Sequence, residues 1–177
     1  MNSIRHMPSR MKTKMTETSL GEERERFDKQ QLNSISKAIN STETPVKEKH
    51  ARRIILGTHR EKGAYTFWSY AIGLPLSSNA ILNWKFCHVL HKVLRDGHPN
   101  TLQDCMRHYS DIAETGTLWA TIRDKYGYGQ LVSQYIKLLC CKLSFHTAHP
   151  EIRANLEVTD EVLERTAGTD INNVPLL

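Results

Sequence analysis

Cysteine is scarce and irregularly spaced. Cys87, Cys105, Cys140 and Cys141 form no framework, and two of them are adjacent. Neighbouring cysteines rarely bridge each other, so the pattern reads as four reduced thiols in a cytosolic chain, not a disulfide scaffold. Against this, the Asn40-Ser41-Thr42 sequon is the one feature that would suit secretion. Long apolar runs are lacking too. The longest stretch without a charge, Gly63 to Trp84, matches a membrane span in length, but Gly73, Pro75, Ser77, Ser78 and Asn79 break its middle. Two half-buried helices joined around Pro75 account for it better. No alternating strand, hairpin turn pair or fixed-period repeat is present. There is no Gly-x-Ser-x-Gly elbow, Walker loop, dinucleotide fingerprint or paired-His metalloprotease motif, so the chain reads as a non-enzyme with no cofactor and no metal.

What is present is an ordinary globular composition: 177 residues, 39% apolar and 24% charged, enough for a single domain with its own core. The net charge is +5, and its placement says more than its sum. Arg5, Arg10, Lys12 and Lys14 carry the first residues without an acid. Lys47, Lys49, Arg52, Arg53, Arg60 and Lys62 outnumber Glu48 and Glu61, and the segment from Glu151 is acidic. A basic N-terminal part and an acidic C-terminal one predict a polyanion-facing surface near residue 50.

Hydrophobic spacing predicts helices throughout. Leu32, Ile35 and Ile39 give a helix over Glu22 to Ile39. Thr44 as N-cap and Pro45 at the first position open a second, which runs to Thr58 with Ala51, Ile54, Ile55 and Thr58 on one face. Further helices are predicted over Ala64–Ile72, Asn79–Arg95, Thr101–Asp124 with a break near Gly116, Gly129–His146, and a short one opened by Thr159-Asp160-Glu161. Short-looped successive helices suggest a bundle or a superhelical stack.

The densest local chemistry lies between Lys37 and Arg53. A helix from Pro45 sets Lys49, Arg53 and Arg60 opposite the Ala51/Ile54/Ile55 face and leaves Lys47 in the first turn, where unpartnered N–H groups favour anions. Lys37 ends the preceding helix one short loop away, and His50 adds two ring nitrogens. Composition alone favours a solvated basic face. Two other readings stand beside it: a scaffold docking an acidic protein, and a nucleic-acid-binding helix lying along phosphates. The second lacks a zinc finger, a recognition-helix pair and a stacking platform. Tyr65, Phe67, Trp68 and Tyr70 have the spacing of a buried helix.

Lys37-Ala38-Ile39, six residues, then Val46-Lys47-Glu48-Lys49-His50 resembles the phosphoinositide-binding signature of ANTH domains, which occur in clathrin-coat endocytic adaptors. Ser36 to Asn40, Val46 to Ala51, Ile55 to His59, Thr66 to Ser69, Trp84 to Lys92, Leu94 to Asn100 and Leu156 to Glu164 extend the resemblance from about Phe27 to Asn173. It is similar to the members that join coated membrane to actin. The resemblance implies an all-α superhelical stack of short-looped helices, ENTH/ANTH-like and truncated at its C-terminus: residues 1–21 a flexible basic leader, 22–177 the N-terminal part of an ANTH domain. It implies a headgroup site at Lys37, Lys47, Lys49 and His50, supported by Arg52, Arg53 and Lys62, for phosphatidylinositol bisphosphates and not nucleic acid. The family's clathrin and actin contacts and its dimerising coiled coil lie in regions outside this chain, so a monomer is expected. The implied location is cytoplasmic, peripheral on the plasma membrane, in clathrin-coated pits and vesicles.

Three smaller features stand beside this. Ile4, Met7, Met11 and Met15 recur at near-helical spacing beside the leader's cations, as in an inserting amphipathic helix or a transit peptide, but Pro8 interrupts them and a disordered tail is favoured. Cys87, His88 and His91 sit on an apolar helix without a second ligand pair, which favours packing over metal. Tyr126-Gly127-Tyr128-Gly129 repeats a step relative to the family, and a loop is the expected place to absorb it, since two residues inside a helix would rotate its face by about 200°.

Overall fold

The computed structural model describes residues 9–122 and 126–168, with side chains from residue 19 onward. Among these residues there are eight helices and no strand: α1 (Ser9–Ala38), α2 (Glu48–Glu61), α3 (Tyr65–Ala71), α4 (Ala80–Asp96), α5 (Thr101–Met106), α6 (Tyr109–Thr121), α7 (Tyr128–Ala148) and α8 (Asp160–Ala167). The first helix begins at Ser9, not Glu22. The segment that precedes Glu22 holds Met, Lys and Glu and no proline, and its one glycine costs a helix little. Residues 1–8, with Ile4, Met7 and Pro8, lie outside the described residues, as do Asp124, Lys125 and everything after Gly168.

Burial follows helical spacing. In α1 the inner stripe is Phe27, Gln31, Ser34, Ile35 and Ala38, continued by Ile39 just past its end. Leu32 stays 37% exposed, because it lies about 100° around the helix from the Phe27–Gln31–Ile35 row. α2 buries His50, Ala51, Ile54, Gly57 and Thr58 against α1. There Gln31 Nε2 donates to the Arg53 carbonyl at 3.1 Å. α4 lies between α2 and α7 and is the most buried helix, with Phe86, Cys87, Val89, Leu90, Val93 and Leu94 inside. Asn79 caps it, its side chain accepting from the Leu82 N–H at 2.8 Å. Phe67 and Trp68 of α3 pack on Phe86, so they serve the core and offer no stacking platform.

Two predicted details change. The break expected near Gly116 falls at Arg107 and His108, where the His108 ring stacks on Trp68 at 4.2 Å. Gly116 is instead a close approach of α6 to α7, since a Cβ there would stand 2.6 Å from Ile136 Cγ2. The repeated Tyr-Gly step, expected in a loop, straddles the start of α7: Tyr126 and Gly127, the latter at φ 72°, precede the helix, Tyr128 and Gly129 lie in its first turn, and Tyr126 stacks on Tyr128. No described helix is long and apolar enough to cross a membrane.

Candidate functional site

The site forms where α1 ends and α2 begins. Asn40 holds the first boundary, its Nδ2 donating to the Lys37 carbonyl at 3.0 Å and its Oδ1 accepting from the Thr42 N–H at 3.1 Å. Such an Asx turn stops a helix and reverses the chain. The second boundary departs from the predicted one. Thr44 and Pro45 do not open α2; the backbone stays non-helical until Lys47, which is the N-cap residue at φ −69°, ψ 118°, and Glu48 begins the helix. In that stretch Val46 is partly buried against the core, which holds the chain there ahead of the helix. Lys47 nonetheless carries the first helical acceptor, its carbonyl receiving the His50 N–H at 2.9 Å.

This geometry brings the four predicted residues together. Lys37, Lys47 and Lys49 are exposed, whereas His50 is buried at 5% exposure. Burial lowers the His50 pKa first, and Lys49, Lys37, Arg53 and Lys47 each lower it further. One imidazole thus lies in the field of four cations, from the end of α1 and the start of α2, which disfavours its charged form. His50 Nδ1 is buried with no hydrogen-bond partner among the described residues.

The supporting cations divide. Arg53 belongs to the cluster. Arg52 is turned to Glu48, 2.5 Å away along the helix, which also occupies the acid that would oppose an anion in the first turn. Lys62 is the left-handed C-cap residue at the far end of α2, about 20 Å from Lys47 at 1.5 Å per residue. Its carbonyl accepts from Asn100 Nδ2. Arg60 is likewise engaged, paired with Glu23 at 2.5 Å and lying over the Phe27 ring at 4.8 Å.

Sequence reasoning did not pick out Lys85. Its Nζ donates to Asn40 Oδ1 at 2.9 Å and to the Thr42 carbonyl at 2.5 Å, across more than forty residues of chain. The available signal was its position: it falls three after Leu82 and four before Val89, on the buried face of α4, where a lysine is out of place. The Cys87, His88 and His91 group packs as expected, with the Cys87 thiol facing Asn83 Oδ1 at 3.4 Å and His91 Nδ1 facing the Tyr135 hydroxyl at 3.1 Å.

A stack of short-looped helices carrying an exposed cation cluster over the start of its second helix defines an ENTH/ANTH-type adaptor fold. The chain belongs to the ANTH domain family, whose profile matches residues 30–174. It is 53% identical over 151 residues to human huntingtin-interacting protein 1, covering 85% of this chain and 14% of that protein. Among solved structures it is similar to the ENTH domain from epsin-2 in complex with phosphatidylinositol 4,5-bisphosphate. The TM-score there is 0.74 with 29% identity, covering 81% of this chain and 56% of that one. The endocytic adaptor complex AENTH gives a TM-score of 0.70 with 26% identity, over 82% and 58% of the respective chains.

Proposed function

We propose that this chain is a phosphoinositide-binding, membrane-contacting module of a clathrin-associated endocytic adaptor, and that Lys37, Lys47, Lys49 and His50, with Arg53, hold the phosphates of a phosphatidylinositol bisphosphate. The observation that carries this is the convergence of four cations on one buried imidazole. Like charges gathered around a buried ring destabilise one another in the empty site and are relieved when a polyanion enters. A lipid headgroup suits the arrangement because the cluster is open and formed mainly of lysines, which act as mobile point charges on phosphate. The solved epsin-2 relative, with its bisphosphate ligand, supports the same ligand class.

Binding is peripheral and reversible. Each cation near an anionic membrane contributes about 1 kcal/mol, and salt screens it within about 10 Å. The module works at the cytoplasmic face of the plasma membrane, in coated pits and vesicles. Coupling to clathrin and actin runs through parts of the longer adaptors beyond this module. It catalyses no reaction.

Co-sedimentation with liposomes, with and without phosphatidylinositol bisphosphate, tests the reading. Reversing Lys47 and Lys49 to Glu removes two attractions and adds two repulsions, about 4 kcal/mol, or roughly a thousandfold in affinity. The variant should stay helical, since both side chains are exposed. Unchanged bisphosphate-dependent binding would refute the assignment.

A further inference from the structure

We infer that Lys85 of α4 is the positioning residue of this site: its buried ammonium clamps the Asn40–Thr42 turn and so sets where Lys37 stands relative to Lys47, Lys49 and His50. The inference rests on the headgroup reading above and adds a residue that touches no ligand.

Lys85 is only 4% exposed, and both of its recorded acceptors belong to the α1–α2 loop. A buried cation without a carboxylate partner is costly unless polar groups converge on it. Here they do. Asn40 Oδ1 accepts from both Lys85 Nζ and the Thr42 N–H, while Asn40 Nδ2 reaches the Lys37 carbonyl, so one side chain joins the end of α1 to α4. The Thr42 carbonyl accepts from Lys85 and also from the Thr44 N–H at 2.8 Å, which fixes the next step toward Val46 and Lys47. A second tie comes from α7, whose Tyr128 hydroxyl donates to Glu43 Oε1 at 3.0 Å. The loop between the two halves of the site is therefore held from outside, by helices that carry none of the proposed ligands. Burial pushes the Lys85 pKa down, in keeping with its removal from water.

A site assembled in advance binds more tightly, because the ordering cost is met by folding. Lys85→Met removes both bonds while keeping an apolar stem of similar length. The test uses vesicles of phosphatidylcholine and phosphatidylserine, with and without phosphatidylinositol bisphosphate. Lys137→Met, an exposed position on α7, serves as the charge-matched control. Lys85→Met should weaken the bisphosphate-dependent increment about tenfold, the effect of losing one charge-assisted clamp. Its binding to phosphatidylserine alone should equal that of Lys137→Met. Asn40→Ala should lose at least as much, since it removes the Asx turn as well as the Lys85 acceptor, and adding Lys85→Met to it should cost less than Lys85→Met costs alone, because the two share a bond. If Lys85→Met does not fold, Lys85→Gln, which keeps a neutral donor at the buried position on a side chain one bond shorter, is measured in its place and is held to the same outcomes. A bisphosphate increment equal to the control's in a folded Lys85→Met, or in Asn40→Ala, overturns the inference and leaves the headgroup reading intact. A wild-type protein with no increment overturns the headgroup reading, and this inference with it.

Discussion

Acidification should tighten bisphosphate binding, and His50 should be the reason. In the empty site its pKa is lowered by burial first and then by Lys49, Lys37, Arg53 and Lys47. A bound phosphate cluster reverses the charge part of that effect, so the pKa in the complex lies above that of the free protein. A group whose pKa rises on binding takes up a proton, and the association constant then grows as pH falls between the two values. One proton limits the slope to tenfold per pH unit, about 1.4 kcal/mol, with plateaus above and below the window. The headgroup phosphates work the other way, because their second proton returns near pH 6 and removes ligand charge. The measurement is therefore a difference. Affinity for bisphosphate vesicles, or for a soluble inositol phosphate by calorimetry, is followed from about pH 8 to about pH 5.5 for wild type and His50→Gln, which keeps a polar side chain without the histidine titration. The wild-type profile should rise above the variant's as pH falls, with matching proton uptake in buffers of different ionisation enthalpy. Parallel profiles would refute the reasoning.

Without ligand, acid should destabilise the fold. His50, His88, His91 and His146 all have lowered pKa values, burial being the largest cause in each. Their contribution is fully present above the unfolded value near 6.5 and is lost as pH falls from there to the folded values, so the melting temperature should drop between about pH 7 and pH 5; a flat profile would contradict it. Gly116→Ala should cost about 1–3 kcal/mol in denaturant unfolding, because the new methyl meets Ile136 and one of the two helices must shift. Arg60→Ala should change stability by no more than about 1 kcal/mol and leave bisphosphate binding as it is, since its partners Glu23 and Phe27 lie away from the cation cluster. Of the four thiols, only Cys141 should react quickly with an aqueous disulfide reagent in the folded protein. Cys87 and Cys105 are buried with pKa values pushed up to about 12, Cys140 is buried and raised, and Cys141 is exposed.

Much of this molecule was legible in the chain alone, because the relevant signals are local. The spacing of Ile35 and Ile39, of Ala51 and Ile54, and of Phe86, Val89, Leu90 and Val93 places them on inner faces whatever packs against them. The run from Lys37 to His50 sets four basic side chains within one helix–loop–helix unit, and residue type and separation alone are enough to mark it as the densest local chemistry of the chain. Other features depend on contacts between distant segments, and no local rule contains them. Val46 holds the chain ahead of α2 only because a core assembled by later helices packs against it. Leu32 looks apolar and periodic, yet Phe27 and Gln31 take the inner stripe once α2 and α3 are in place. Lys62 shares a charge run with Lys47 and ends at the opposite end of the same helix. His50 comes into the field of Lys37 as well as that of its own helix only when the end of α1 is folded back over α2. Lys85, forty-five residues from Asn40, meets its acceptors because α4 packs beneath the loop. Sequence determined that the chain would be a succession of helices and which cations lie near one another along it; tertiary packing decided where some of those helices begin and which cations converge, since convergence is set by how helices cross.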